Sequence, residues 1–311
     1  MTEGRRITGG LILILLAVGA PVLAGEEFGI PERVYIDDLP PGAFGQPLST
    51  EEPFISREGR VLFFNSGDKE NKKDLHFARL VHGRWVYQGE IGGVNSRSET
   101  QGAASLDRGG NLYYVDTRAP RMLRVGHWQE SSGTVTAIED FTAVPARRPE
   151  LFRGRIHGNM DIEISADGNT AVISRATWGW EGGSVRYIQT ANLLVSRRQG
   201  KKFVFNLEES ERLMQNINTD DLEYAAALSA NGLELFFTRL AADDLAHLRL
   251  RSRIMRATRA SDKEPFGPPQ TIGSIGTRDF VEGPALSPDG RRLYYHRKTG
   301  KKFHLYRVTR P

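Results

Sequence analysis

Apolar residues along this chain come in short bursts rather than at helical spacing. Leu62-Phe63-Phe64, Leu112-Tyr113-Tyr114, Ala171-Val172-Ile173, Leu235-Phe236-Phe237 and Leu293-Tyr294-Tyr295 each put apolar side chains on consecutive positions. Successive strand residues point to opposite faces, so such a run predicts a strand buried on both sides. A hairpin signal precedes each burst. A serine ends a short strand and is followed by an acidic or amide residue and a glycine: Ser56 with Glu58-Gly59, Ser165 with Asp167-Gly168, Ser229 with Asn231-Gly232, Ser287 with Asp289-Gly290. Asp-Gly and Asn-Gly supply the positive φ of a tight turn, and the serine hydroxyl can bond the turn backbone. The second copy aligns on Ser105 with one extra residue and Gly109-Gly110 in its turn, which reads as a bulged version.

Two more strands follow in most copies. Third-strand candidates are Leu75–Leu80, Met122–Val125, Ala191–Val195, Ile254–Ala257 and His304–Val308; fourth-strand candidates are Trp85–Tyr87, Val135–Ile138, Phe203–Phe205 and Gln270–Ile272. Four antiparallel strands in a repeat of this length make a propeller blade. The expected fold is therefore all-β, a five-bladed β-propeller, with six blades as the alternative if the long third or fourth unit hides a degenerate copy. The last unit ends without a fourth strand, and the spare strand Glu32–Ile36 would complete it and close the ring. One domain then spans residues 25–311, with blade cores near 51–91, 99–140, 159–206, 221–273 and 280–311 plus 32–36.

The pattern Ser287-Pro288-Asp289-Gly290 followed by Leu293-Tyr294-Tyr295, with an acidic residue and a proline ahead of it (Glu282, Pro284), resembles the WD40-like PD40 repeat of TolB-type propellers. Ser165-Ala166-Asp167-Gly168 is similar, and the likeness runs over essentially the whole chain after residue 28. It implies the propeller fold and, by what such proteins do, a scaffold or binding role, with metal-using pectin-fragment lyases among the relatives.

Composition narrows the setting. Arg5-Arg6, the apolar run Gly9 to Val18 and small residues at Ala20 and Ala24 have the layout of a secretory signal ending near residue 24. The run is short for a membrane span, which needs about 20 residues; an uncleaved anchor is the alternative. The expected location is periplasmic or secreted. With no Cys, no disulfide, thiolate metal site or Cys nucleophile is possible. The net charge of +4 is scattered over likely hairpin ends, which speaks against a nucleic-acid partner.

Chemistry is expected where the loops entering the first strand and leaving the second surround the channel mouth. Acidic or amide residues recur there: Glu51-Glu52, Glu99 with Gln101, Asn159 with Asp161, Glu223 and Glu282. Such a ring could hold a cation such as Ca²⁺, with Glu99, Asp116 and Asp161 as metal candidates. Glu223 would instead brace Arg239, and Glu282 would lie near Arg297, as ordinary cross-strand pairs. Glu99 facing Asp116 would leave two carboxylates together unless Arg118, Arg121 or a metal neutralises them. The stretch from Arg175 to Ser184 reads as a Gly-rich loop whose Trp178 and Trp180 suit a sugar or peptide side chain. His157, Asn159 and Asp161 alternate and can share a face, and Ala241–Arg253 reads as a short helix capping that face.

No Gly-x-Ser-x-Gly, His-Glu-x-x-His or phosphate loop is present. The expected function is a non-enzymatic, monomeric binding module for a protein or glycan of the cell envelope, without a resident cofactor. Glu99, Asp116, His157, Asp161, Arg175, Trp178, Trp180, Arg239, Glu282 and Arg297 form the candidate surface. The alternative is a metal-dependent carbohydrate hydrolase or lyase using the acidic ring.

Overall fold

The computed structural model describes residues 28–311 except 43–44, 46–47, 68–71, 121, 183, 248, 250 and 277. The expected signal segment and Arg121 lie outside the described residues. Two short strands, β1 (Glu32–Arg33) and β2 (Ile36–Asp37), precede five sheets. Blade 1 is built from β3 (Thr50–Ile55), β4 (Val61–Ser66), β5 (Leu75–Val81) and β6 (Arg84–Glu90); blade 2 from β7 (Gln101–Leu106), β8 (Asn111–Asp116), β9 (Leu123–Gln129) and β10 (Thr134–Asp140). Blade 3 contains β11 (Arg155–Ile164), β12 (Thr170–Glu181), β13 (Ser184–Gln199) and β14 (Lys202–Val204), followed by helix α1 (Leu207–Met214). Blade 4 has β15 (Leu222–Leu228), β16 (Glu234–Leu240), helix α2 (Ala242–Ala246), β17 (Ser252–Thr258) and β18 (Gln270–Thr271). Blade 5 has β19 (Val281–Leu286), β20 (Arg292–Thr299) and β21 (Lys302–Thr309).

The innermost strands touch in cyclic order, β3 to β7 to β11 to β15 to β19 and back to β3, so the ring closes at five blades. The long third unit holds helix α1 where a sixth blade was the alternative. The consecutive apolar positions explain the packing. Phe63 enters the cluster between blades 1 and 2, while its neighbours Leu62 and Phe64 enter the cluster between blades 5 and 1. Phe237 and Phe236 divide in the same way between the two sides of blade 4. The core is thus a set of inter-blade layers, and no blade buries its own faces alone.

Closure is as expected but uses less chain. β1 pairs antiparallel with β21 (Glu32 with Arg307, Arg33 with Tyr306). Ile36 does not continue that strand; β2 runs parallel to β6 of blade 1, so the N-terminal segment ties the last blade to the first.

The hairpin turns follow the serine logic in four blades. Ser56, Ser165, Ser229 and Ser287 Oγ each accept the amide of the residue opening the second strand, at 2.8–3.1 Å. In blade 2 that role belongs to Asp107, whose Oδ1 accepts from Asn111 N at 2.9 Å. Ser105 instead turns into the shaft and donates to Glu163 Oε2 at 2.7 Å. Alignment on the wrong hydroxyl is what misplaced Glu99: the residue opposite Asp116 is Gln101.

Candidate functional site at the mouth of the ring

Every innermost strand shifts register near the mouth, and in all but β11 the shift comes with a left-handed residue four positions before the turn residue: Glu52, Ala103, Ala225 and Gly283 have φ of 47°, 49°, 51° and 62°. This conformation is uncommon for side chains with a Cβ, and it aims each amide across the blade junction. Ala103 N donates to Glu52 Oε2 (3.1 Å), Ala225 N to Ser174 Oγ (3.0 Å), Gly283 N to Thr238 Oγ1 (3.2 Å) and Glu52 N to His296 Nδ1 (2.9 Å). Ser174, Thr238 and His296 each occupy the fifth position of their second strand, and Asn65 and Val115 are the equivalents in blades 1 and 2. Val115 cannot accept, and among the described residues no such bond joins blade 2 to blade 3 at this level.

Below the amide ring the shaft is plugged. Arg57 from blade 1 reaches the carbonyl of Leu106 (2.7 Å), the carbonyl of Ile164 and Glu163 Oε1 (3.4 Å). Glu163 also accepts from Leu228 N at 3.2 Å, so this buried pair links four blades. Burial raises the Glu163 carboxyl despite the opposing pull of Arg57.

Above the plug three carboxylates from three blades meet. Glu52 accepts from Asn65 and, at 2.7 Å, from Lys73 Nζ, which also reaches Glu51 at 2.9 Å. Glu282 accepts from Tyr224 Oη of blade 4 and lies 3.2 Å from His296 Nε2. Because His296 Nδ1 accepts the Glu52 amide, its proton sits on Nε2 and is donated to Glu282. Asp161 Oδ2 accepts from Ala225 N at 3.3 Å. Burial, and then the charge of Glu52, push the Asp161 carboxyl up to about 7, with Lys73 opposing and Glu282 adding. Burial also works against ionised Glu52, but the charge and hydrogen bond of Lys73 outweigh it and hold Glu52 below the ordinary carboxylate range. Burial and the neighbouring Glu282 raise Tyr224 well above its usual value. Two carboxylates thus titrate far apart, yet the cavity they line is only about 40 Å³.

The expected surface is divided by this geometry. Asp161 and Glu282 belong to the mouth cluster, joined by Glu52, Lys73, Tyr224 and His296. Glu282 is not braced by Arg297, which pairs with Asp279 at 2.6 Å. Glu223 and Arg239 do pair, at 2.8 Å across directly opposed positions. Asp116 is fully buried between Arg118 (2.7 Å) and Arg124 (2.9 Å), and exposed Glu99 accepts from Thr117 instead. The three metal candidates therefore do not converge, and among the described residues no three His, Asp or Glu side chains form a metal-holding group. Trp178 and Trp180 lie on strand β12 rather than in a loop, half-buried, with Trp178 packed beside Ile188 and Met160. The ladder runs on through Gly179 to Glu181, where glycines suggested a break. The helix of the fourth blade is confined to Ala242–Ala246, with Leu245 packed toward Leu222 and Leu240.

Beside the mouth, the β12–β13 hairpin stands above blade 3 and faces α2 across a cleft of about 880 Å³. One wall is polar (Arg147, Arg155, His157, Thr177) and the other apolar (Leu222, Leu245). His157 Nδ1 lies 2.9 Å from Thr177 Oγ1, and Nε2 lies 3.4 Å from Glu150. Burial, then the charges of Arg147 and Arg175, hold His157 below its usual range despite Glu150, so it is neutral at neutral pH. Arg175 reaches the Pro145 carbonyl (2.6 Å) and, more weakly, Asn159 (3.4 Å).

Closed five-bladed geometry with this mouth defines the protein as a β-propeller. No family model and no curated protein sequence matches the chain, whereas solved structures do. The catalytic domain of the GH62 α-L-arabinofuranosidase of Coprinopsis cinerea aligns with TM-score 0.51 at 11% identity, over 92% of this chain and 97% of that one. A mutant levansucrase of B. megaterium aligns with TM-score 0.52 at 10% identity, over 93% and 94%. A putative TolB from Agrobacterium tumefaciens gives TM-score 0.45 at 13% identity, over 88% and 78%. Likeness at such identities is a likeness of fold.

Proposed function

We propose that the protein is an exported, TolB-like binding module that holds a protein or glycan segment on its mouth face, in the cleft between the β12–β13 hairpin and α2. The cleft itself carries this reading. At about 880 Å³ it falls within the roughly 300–1,000 Å³ typical of ligand sites, and it sets hydrogen-bonding groups against an apolar wall. Capture of members of mixed peptide and oligosaccharide pools by the purified protein tests it. Retention is expected to be insensitive to EDTA and to vanish in Thr190→Trp, which fills the cleft at an exposed position. Retention unchanged in that variant would remove the cleft from consideration.

One observation favours a second reading, hydrolysis of a glycan. Asp161 raised to about 7 beside an ionised Glu52 is the pairing a general acid and its partner carboxylate require. The arabinofuranosidase and the levansucrase that share the fold are, by name, carbohydrate enzymes. Against it stands the size of the cavity, about 40 Å³, room for one or two water molecules. Hydrolysis abolished by Asp161→Asn would decide for this reading.

A further inference from the structure

We propose that the cleft recognises the C-terminal end of an extended peptide, with the terminal carboxylate held between Arg147 and Arg155 and an apolar last side chain against Leu222 and Leu245. This deepens the binding reading above and rests on it. Among the described residues, neither Arg147 nor Arg155 has a carboxylate partner, although both line the cleft. Glu150, the acidic residue of the lining, is already within 3.5 Å of Arg153 and 3.4 Å of His157. The imidazole of His157 is almost fully buried, with its Nε2 3.4 Å from Glu150 Oε1. Two guanidiniums against one carboxylate leave the lining with an excess of positive charge, which suits an anion.

The strand beside them selects an extended chain. β14 pairs with β13 only at Arg197–Gln199. Further along the same outer edge, Asn218 satisfies Leu193 and Ser210 satisfies Val195. From there to the hairpin tip no strand among the described residues covers β13, and Tyr187, Ile188, Gln189 and Thr190 line the cleft. Such an edge takes an added strand through main-chain hydrogen bonds. The register slips beside Ile188, where Gln189 bulges out of the ladder, and a bulge interrupts long pairing. The free edge therefore suits the few residues of a chain end rather than the middle of a long peptide.

The test compares two pools of fluorescent hexapeptides with apolar last residues, one with free C-terminal carboxylates and one amidated, by fluorescence polarisation. Free acids are expected to bind at least tenfold more tightly than amides. Arg147→Ala/Arg155→Ala should lower acid binding to the amide level and leave amide binding unchanged, with an unaltered thermal melt because both side chains are exposed. Equal binding of acid and amide, both lost in Thr190→Trp, overturns the carboxylate inference and leaves the cleft as a recognition site. Binding of trigalacturonate but of neither pool overturns the choice of a peptide. Peptide binding indifferent to Thr190→Trp overturns both readings.

Discussion

Replacing Asp161 with Asn tests the electrostatics of the mouth directly. The side chains are nearly isosteric, and the amide oxygen can still accept from Ala225 N, now 3.3 Å from the carboxylate. In the native ring the carboxyl is raised from 3.8 to about 7, by burial first and the charge of Glu52 second. An acid raised on folding keeps its proton in the native state while the unfolded chain gives it up. Below about pH 4 both states are protonated and the group costs nothing. Between about 4 and 7 the unfolded state sheds the proton, and native stability falls as pH rises. Above 7 the cost is complete. A shift of about three units corresponds to ~4 kcal/mol, a ceiling that relaxation around Lys73 lowers. Asp161→Asn should therefore match the wild type near pH 4 and exceed it at pH 8 by ~2–4 kcal/mol. Urea unfolding at both pH values, with a common m-value, measures the difference. A difference that does not change with pH would mean that Asp161 is ionised throughout and that the mouth holds no such conflict.

Two further outcomes follow from the packing. Arg57→Ala removes the cation of the pair that links four blades and leaves Glu163 buried without its partner; urea unfolding should show a loss of ~3–5 kcal/mol, with Arg57→Ala/Glu163→Gln recovering part of it, and an undiminished single variant would refute the plug. Phe28, buried edge-on against Phe236 beside the closing strand, should cost ~3–5 kcal/mol on truncation to Ala, read as a lower midpoint in the same assay.

The ring was legible in the sequence because its repeating unit must bury both faces. The runs at Leu62–Phe64 and Leu235–Phe237 could not be satisfied by a sheet with one wet side. Turn chemistry was legible wherever it was carried by serine. It misled in blade 2, where Asp107 does the same work with a carboxylate and a nearby serine competes for the alignment. That shift of register invented an opposition between Glu99 and Asp116. Pairing within one hairpin was also readable, as Glu223 and Arg239 show. Of the mouth cluster, the recurring acidic residues Glu52, Asp161 and Glu282 were readable, but their partners Lys73, Tyr224 and His296 were not, because most of these contacts form only through the closure of the ring. A signal was present in the column Asn65, Ser174, Thr238 and His296, polar residues that directly follow the apolar run of each second strand. It could not be interpreted without knowing that the next blade offers an amide to the last three, and to Glu52 beside Asn65.

That column has a gap, at Val115. Four junctions are fastened at the mouth by an amide from the neighbouring blade. The junction between blades 2 and 3 is fastened lower, where Ile164 N reaches Ser105 and Arg108 N reaches the Ala166 carbonyl. Such a bracelet does not flex evenly; it gives at its clasp, and only on one side. The clasp borders blade 3, whose β12–β13 hairpin walls the cleft, so opening of this junction is expected to change the width of the cleft. Amide exchange at the mouth end of β11 should then be the fastest among the five inner strands, and an occupant of the cleft should slow it.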